Sequence, residues 1–147
     1  PFPTELFDKD GKKLQDIGME FGATTGRPRR CGWFDGLAAK YSCMINGLTD
    51  IALTKLDILD SFENIKVCVG YKYNKSEIHN YSEAVNLEKV IPIYKDFKGW
   101  NCDLNGISDY NMLPLECKEY IKFLEDFLET KISIISIGPG RNEIIQK

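Results

Sequence analysis

The strongest constraint on the fold is a helical pattern followed at once by a run of isoleucines in the last third of the chain. Apolar side chains recur at helical spacing at Leu115, Tyr120, Ile121, Leu124, Phe127 and Leu128. Pro114 suits the first turn of a helix, and the acidic Glu116 and Glu119 favour the positive end of its dipole. Residues 131–137 then predict a buried strand that ends at Gly138-Pro139-Gly140. The apolar face of this helix is therefore expected to pack in the core.

A second helix is predicted in the first third of the chain, over residues 37–48. Asp35 precedes it as a candidate cap, and Gly47 lies near its end as a stop signal. Its apolar stripe comprises Leu37, Ala38, Tyr41, Met44, Ile45 and Leu48.

Three extended segments are predicted between these helices. Residues 51–58 are mostly apolar, whereas residues 65–73 alternate with the period of two that is typical of a half-buried strand. A long polar connection leads to a third segment at 90–97, where Pro92 indicates an edge position. The last two segments are expected to form an antiparallel excursion of a mixed sheet. Because helices and strands do not alternate strictly, we predict an α+β fold with flanking helices in one domain, residues 1–147.

The stretch richest in chemistry is Gly-Ala-Thr-Thr-Gly-Arg-Pro-Arg-Arg, residues 22–30, which we call the arginine loop. Arginine offers a planar fork of donors that fits a carboxylate or phosphate with two hydrogen bonds. Thr24 and Thr25 add hydroxyl donors, and the glycines allow the backbone to approach a ligand. A solvated basic turn is the alternative for such a cluster. The residue types of the loop suit a small anionic ligand.

Nucleic acid is a poor partner for this chain, because its formal net charge is −3 and it has no broad basic stripe. No apolar run approaches the length of a membrane helix. The five cysteines are scattered without a C-x-x-C pair, which indicates a reducing, cytoplasmic compartment. With one histidine, a histidine-rich metal site is excluded. The first residues carry neither an initiator methionine nor a signal-peptide pattern, and we expect them to lie inside a longer chain.

Two shorter patterns follow predicted strands. Lys55 and Asp57 are two residues apart at the end of segment 51–58, so both side chains should leave the same face of the strand. A carboxylate there could accept both donors of the Watson–Crick edge of guanine. Ser136-Ile137-Gly138-Pro139-Gly140-Arg141 follows the other strand and could bring backbone groups close to a base. Taken alone, a surface salt pair and an ordinary turn are the simpler interpretations.

Together these segments resemble the carboxyl-terminal third of adenylosuccinate synthetases. The resemblance rests on residues 22–33, on Pro1-Phe2-Pro3-Thr4-Glu5, on Thr54-Lys55-Leu56-Asp57 and on the closing Ser136-Ile137-Gly138-Pro139-x-Arg141. The order and separation of these motifs also agree, so the resemblance covers essentially the whole chain. It implies a region of a larger P-loop-like α/β enzyme that uses GTP to join IMP to L-aspartate in AMP biosynthesis.

The resemblance also implies roles for individual residues. The loop that closes over aspartate would comprise Ala23, Thr24, Thr25, Gly26, Arg27, Pro28 and Arg29. Arg27 would also face IMP, and Arg29 the GTP side. The guanine pocket would comprise Lys55, Leu56, Asp57, Ser136, Ile137 and Gly138. A homodimer in the cytoplasm is implied as well.

The chain also departs from the pattern of these enzymes. Their glycine-rich segment Q-W-G-D-E-G-K-G, their catalytic aspartate and histidine, and their Mg²⁺ ligands are not in this sequence. We therefore expect no catalytic residue here and no turnover by this polypeptide alone. Ile137 and Gly140 stand where a hydroxyl and an acidic side chain are common. A non-catalytic module that binds a nucleotide or dicarboxylate is the alternative.

Overall fold

The computed structural model describes residues 2–84 and 86–147. Pro1, the first residue of the Pro1–Glu5 motif, and Val85, in the polar connection, lie outside the described residues. The helices are α1 (Lys9–Ile17), α2 (Gly36–Asn46) and α3 (Leu115–Leu128). The strands are β1 (Phe34–Asp35), β2 (Asp50–Leu53), β3 (Asn64–Tyr73), β4 (Ser76–Ile78), β5 (Ile91–Lys98), β6 (Lys131–Ser136) and β7 (Ile144–Gln146).

The described residues form two compact units. The residues up to Ala38 together with Lys66–Lys95 make up unit 1, and Ala39–Ile65 together with Asp96–Lys147 make up unit 2. No helix among the described residues is both long and apolar enough to cross a lipid bilayer.

Unit 1 is built on a mixed sheet around β3. β1 runs parallel to β3 with Phe34 opposite Val67, β4 turns back antiparallel, and β5 also pairs with β3. The side chains buried together are Leu37, Cys68, Tyr71, Ile78 and Val90. Polar contacts also lie in this core: the Tyr71 hydroxyl donates to Asp35 Oδ2 at 2.6 Å, and Cys68 Sγ donates to Gly70 O at 3.2 Å. Asp35 Oδ1 accepts from the backbone N of Ala38 at 3.1 Å and so caps α2, as the sequence predicts.

Unit 2 contains a second mixed sheet in the order β2-β6-β7. β2 and β6 are parallel with Leu53 opposite Ile135, and β7 is antiparallel to β6 with Ser136 opposite Ile144. Helix α3 contacts β6 and buries Cys117, Tyr120, Ile121, Leu124 and Leu128. Burial of these side chains removes apolar surface from water, which is the main favourable contribution to folding.

The predicted α+β content is confirmed, with the strands divided between two mixed sheets. The predictions of α2, α3, β3, β5 and β6 agree with the structure to within one or two residues. α1 and β7 were not predicted. α1 has few apolar residues, but Asp8 marks its start by accepting from the backbone N of Asp10 and Gly11 at 3.0 and 3.1 Å.

Two predictions need correction. The strand predicted over 51–58 ends at Leu53 and is followed by a 3-10 helix, Leu56–Leu59. The apolar face of α3, which was expected to pack in the core, leaves its first residue Leu115 exposed. Met44 and Ile45 of the α2 stripe are also exposed, at 69% and 60%. Helical spacing identifies a face of a helix but does not show how far along that face the core extends.

Asp60 ties the 3-10 helix of unit 2 to the loop after β5. Its Oδ1 accepts from Trp100 Nε1 at 2.7 Å, and its Oδ2 accepts from the backbone N of Leu104 at 2.9 Å. Burial raises the pKa of this carboxyl above its ordinary value. Both oxygens therefore serve as acceptors in a partly desolvated place.

We predict that Asp60→Asn lowers the free energy of unfolding by about 1–3 kcal/mol, because one N–H would then face the amide NH₂ instead of an acceptor. Urea titration followed by tryptophan fluorescence measures this change. Asp50→Asn, at an exposed position of β2, is the matched control and should change stability by no more than about 0.5 kcal/mol. Equal effects of the two substitutions would contradict the structural role of Asp60.

Candidate ligand-binding site

The arginine loop in unit 1 is the tip of a short antiparallel ladder. The backbone N of Gly22 donates to Arg27 O at 2.8 Å, and the backbone N of Arg29 donates to Glu20 O at 2.9 Å. Phe21 and Pro28 form an isolated antiparallel bridge between these bonds. The two stems of the loop are therefore joined by the backbone, and only the tip lacks a partner strand.

The turn at the tip depends on two glycines. Gly26 has φ +63°, a left-handed conformation that costs other residues free energy, and its N–H donates to Gly22 O at 2.8 Å. Thr25 Oγ1 accepts from the backbone N of Arg27 at 3.3 Å. The same Oγ1 would lie 2.8 Å from a Cβ at Gly22. The turn thus requires glycine at 26 for its conformation, while a side chain at 22 would have to displace the Thr25 hydroxyl.

The far stem of the loop is attached to two other segments of unit 1. The backbone N of Leu6 donates to Cys31 O at 3.0 Å, and Glu5 bridges Gly32 in antiparallel fashion. From α1, Gln15 Nε2 donates to Arg29 O at 2.7 Å. The arginine loop consequently stands on a fixed base while residues 23–30 are all exposed.

The three arginines of the loop differ in their contacts. Arg29 Nη1 lies 3.0 Å from Glu20 Oε2, and Arg30 Nη1 lies 3.7 Å from Oε2 of Glu5, whose side chain is 7% exposed. The guanidinium of Arg27 has no hydrogen bond or ion pair with any residue that the structure describes. Ion pairs of exposed arginines contribute little stability, so Arg29 can exchange Glu20 for another anion at small cost. Arg29 and Arg30 also line a cleft of about 250 Å³ with Glu5, Gln15 and Cys31.

The other predicted site residues lie in unit 2, beyond the carboxyl ends of two neighbouring parallel strands. Leu53, the last residue of β2, is opposite Ile135 of β6, so Lys55–Asp57 and Ser136–Gly138 leave the same edge of the sheet. The expectation that the Lys55 and Asp57 side chains leave the same face of a strand is wrong, however. Lys55 is in the left-handed region with φ 61°, and Asp57 lies in the 3-10 helix. The alternation of a strand therefore does not apply to these two residues.

Asp57 has an unused acceptor. Its Oδ1 is buried, and it makes no hydrogen bond with the described part of the chain. A buried polar atom without a partner is costly and is usually satisfied by water or a ligand. Leu56, beside it, is fully buried and fixes the 3-10 helix in the core. Asp57 is thus the residue of this edge that is best prepared to accept hydrogen bonds from a ligand.

The turn after β6 is closed by its own hydrogen bonds. Ser136 Oγ donates to Gly138 O at 2.9 Å, and the backbone N of Ile137 donates to Glu143 O at 2.9 Å. The Ile137 side chain is buried, so the replacement of a hydroxyl by an apolar group fills the core here instead of facing a ligand. Any contact of Ile137 with a ligand must come from its backbone.

The described residues do not fit a divalent metal. No group of three His, Cys, Asp or Glu side chains among residues 2–84 and 86–147 could hold a metal ion. Burial raises the pKa of the Cys68 and Cys117 thiols to about 12, which makes both poor nucleophiles.

Several contacts of the candidate site were not predicted from the sequence. Glu20 and Gln15 hold the Arg29 side chain and backbone, Glu5 lies beside Arg30, and Glu143 closes the turn after β6. Glu20, Gln15 and Glu143 are ordinary polar residues outside the motifs, and Glu5 ends the Pro1–Glu5 motif without a predicted role of its own. The ion pair between Glu20 and Arg29 can be recognised only once the antiparallel pairing of the two stems of the loop is known.

The comparison with known proteins agrees with this geometry. The family model for adenylosuccinate synthetase matches residues 1–145. The chain therefore belongs to the adenylosuccinate synthetase family. It is 51% identical over 146 residues to the adenylosuccinate synthetase of Geotalea uraniireducens and 48% identical over 147 residues to that of Flavobacterium johnsoniae.

These matches cover 99% and 100% of the chain but only 34% and 35% of the two relatives. The chain thus spans about a third of the length of the curated relatives it matches. A solved structure of fully ligated adenylosuccinate synthetase from Plasmodium falciparum is similar over 100% of the chain and 36% of its own, with a TM-score of 0.92 and 38% identity.

We predict that Gly22→Ala opens the tip of the arginine loop, because the new methyl group would meet Thr25 Oγ1 at 2.8 Å. Amide exchange of Gly26, whose N–H bonds to residue 22, should become at least about fivefold faster, equal to the loss of roughly 1 kcal/mol of local stability. Ala23→Gly, which adds no atoms, should leave the turn bonds of residues 22 and 26 in place. Unchanged exchange in Gly22→Ala would contradict the steric argument.

Proposed function

We propose that this chain is the carboxyl-terminal substrate- and guanine-binding region, residues 1–147, of a GTP-dependent ligase. The whole enzyme would join IMP and L-aspartate to give adenylosuccinate, GDP and phosphate in AMP biosynthesis. It would be a P-loop-like homodimer of the cytoplasm that uses Mg²⁺ held by residues outside this chain. The observation that carries the proposal is an exposed arginine loop, on a fixed base, in a chain that belongs to this family.

The ligand proposed for the arginine loop is L-aspartate, whose two carboxylates match arginine forks and hydroxyl donors. Thr24, Thr25, Arg27 and Arg29 would donate to these carboxylates, while Ala23, Gly26 and Pro28 shape the backbone of the loop. Since Arg29 is held by Glu20 in an exposed ion pair, aspartate can replace that carboxylate without leaving the guanidinium unpaired. Arg27, which has no such partner among the described residues, would turn to IMP as well, and Arg29 to the GTP side.

The ligand proposed for the edge of the unit 2 sheet is the guanine of GTP. The Asp57 carboxylate can accept from both N1–H and the 2-amino group of guanine, whereas adenine presents an acceptor at N1. Its buried Oδ1 without a partner supports this role. Lys55 and Leu56 would lie beside the ring, and Ser136, Ile137 and Gly138 would complete the pocket through backbone groups.

The proposed reaction proceeds in two steps. GTP phosphorylates the 6-oxygen of IMP, and the amine of aspartate then displaces that phosphate from the same carbon. This chain would orient the aspartate amine and place positive charge near the phosphorylated intermediate. Orientation of this kind removes much of the entropic barrier, and fixed positive charge stabilises the charge that develops during the reaction. Residues elsewhere in the polypeptide would transfer the phosphoryl group and the protons.

We predict that Arg27→Leu and Arg29→Leu, made in the full-length enzyme, raise the KM for aspartate by about tenfold or more. This is the size expected for the loss of one hydrogen bond between charged groups. The KM for IMP should rise less in both variants. Arg30→Leu is the matched control, since Arg30 belongs to the same loop but is not assigned to a ligand. Equal changes of all three Michaelis constants would indicate a folding role for the loop.

We predict that Asp57→Asn weakens the use of GTP and relaxes the selectivity for guanine. An amide keeps one acceptor oxygen but turns a donor toward the donors of the base, so the KM for GTP should rise by about tenfold or more. The ratio of kcat/KM for GTP to that for ATP measures selectivity. Unchanged selectivity, equal to that of the exposed control Asp50→Asn, would remove Asp57 from the base pocket.

A further inference from the structure

The turn between β6 and β7, residues 137–143, is closed chiefly by one residue, Glu143. Its backbone O accepts from the N of Ile137 at 2.9 Å, and its N donates to Gly140 O at 3.1 Å. Its carboxylate also accepts from the backbone N of Gly140 through Oε2. Glu143 therefore bonds to the beginning and the middle of the turn, and β7 starts directly after it.

The Glu143 carboxylate also occupies the space beside both glycines of the turn. A Cβ on Gly138 would lie 2.7 Å from Glu143 Cδ and Oε2, and a Cβ on Gly140 would lie 2.6 Å from Oε2. Neither glycine has a positive φ, so conformation alone does not demand glycine at these positions. A side chain at either position would therefore have to displace the Glu143 carboxylate.

The position of this turn matters because it begins at the proposed guanine pocket. Ser136 ends β6, and Gly138 O is already held by the Ser136 hydroxyl at 2.9 Å. Through Ile137 and Gly140, Glu143 fixes the peptide groups on either side of Gly138. A binding site needs its groups held to within about 0.5 Å, and residues behind the site supply that precision.

We infer that Glu143 is a positioning residue for guanine, which rests on the function proposed above. It does not touch the base. It holds the backbone of residues 136–140 beside the edge that carries Asp57, and it does so with a hydrogen bond between a charged group and the backbone, which is stronger than a neutral one. Removal of its carboxylate would take away the side-chain bond to the backbone N of Gly140 while leaving the backbone bonds of the turn and all the proposed guanine contacts in the chain.

Kinetic measurements on the full-length enzyme test this inference. Glu143→Ala should raise the KM for GTP by about tenfold, the effect of losing one hydrogen bond of a charged group. The KM values for IMP and aspartate should stay within about twofold of the parent. Glu143→Gln keeps an acceptor oxygen and should recover most of the affinity for GTP. Glu119→Gln, at an exposed position on α3, is the control and should change none of these constants.

A double-mutant cycle isolates the contact between the carboxylate and Gly138. The three atoms nearest to a Cβ at Gly138 all belong to the Glu143 side chain, so Gly138→Ala should weaken GTP use by crowding that carboxylate. In the double variant Gly138→Ala/Glu143→Ala the crowding is gone, and its KM for GTP should be no higher than that of the worse single variant. Effects that multiply would show that the two positions act independently, and would overturn the inference.

The outcome for Asp57→Asn separates this inference from the proposed function. If Asp57→Asn changes the selectivity for guanine but Glu143→Ala leaves the KM for GTP unchanged, or raises all three KM values equally, the positioning role of Glu143 is overturned and the guanine site stands. If Asp57→Asn leaves selectivity unchanged, the guanine site is overturned and the role of Glu143 with it. Selective loss of GTP affinity in both variants, with recovery in Glu143→Gln, supports both.

Discussion

The parallel pairing of β2 with β6 is the constraint on which the account of unit 2 depends. Parallel neighbours have their carboxyl ends at the same edge of a sheet, and residues that follow those ends are therefore brought together whatever their distance in sequence. The opposition of Leu53 and Ile135 places Thr54, the first residue after β2, and Ser136, the last residue of β6, at that edge. The patterns K-x-D and S-x-G-P are weak signals when taken alone. The parallel pairing places both at the same edge of the sheet.

Unit 1 presents several positive charges on a short turn, and hydrogen bonds hold that turn in its shape. Backbone bonds from Gly22 to Arg27 and from Arg29 to Glu20 join the stems, and Gln15 holds the far side. The guanidinium groups remain exposed, and two of them lie beside carboxylates of the same chain. Those internal carboxylates limit repulsion between neighbouring arginines.

The sequence predicted the parts of the fold that local patterns determine. Most of the stripe of α3 and the cap at Asp35 appear in the structure as expected, because packing confirms what helical spacing and capping chemistry favour locally. The strand predicted through Asp57 failed because Lys55 adopts a left-handed conformation that apolar content cannot reveal. Leu115 was expected in the core but is exposed, since burial depends on what packs against a helix and not on the pattern of the helix itself.

The sequence could indicate those residues of the candidate site whose type reveals their chemistry. It could not indicate residues that matter only through their position in the structure. The arginines, Asp57 and the glycines of the turn after β6 could be named from the sequence. Glu20 and Glu143 could not, because a glutamate outside a motif gives no local signal and its role is visible only as contacts with Arg29, Gly138 and Gly140. Residues that hold a site in place are therefore the ones that only the structure identifies.

Hydrogen exchange of the full-length protein, measured by mass spectrometry with and without a guanine nucleotide, tests most directly whether the edge beyond β2 and β6 is the guanine pocket. The account predicts that GDP slows exchange in residues 54–58 and 136–140 together, and that ADP at the same concentration does not. Protection of only one of these segments, of neither, or of both equally by ADP would contradict it.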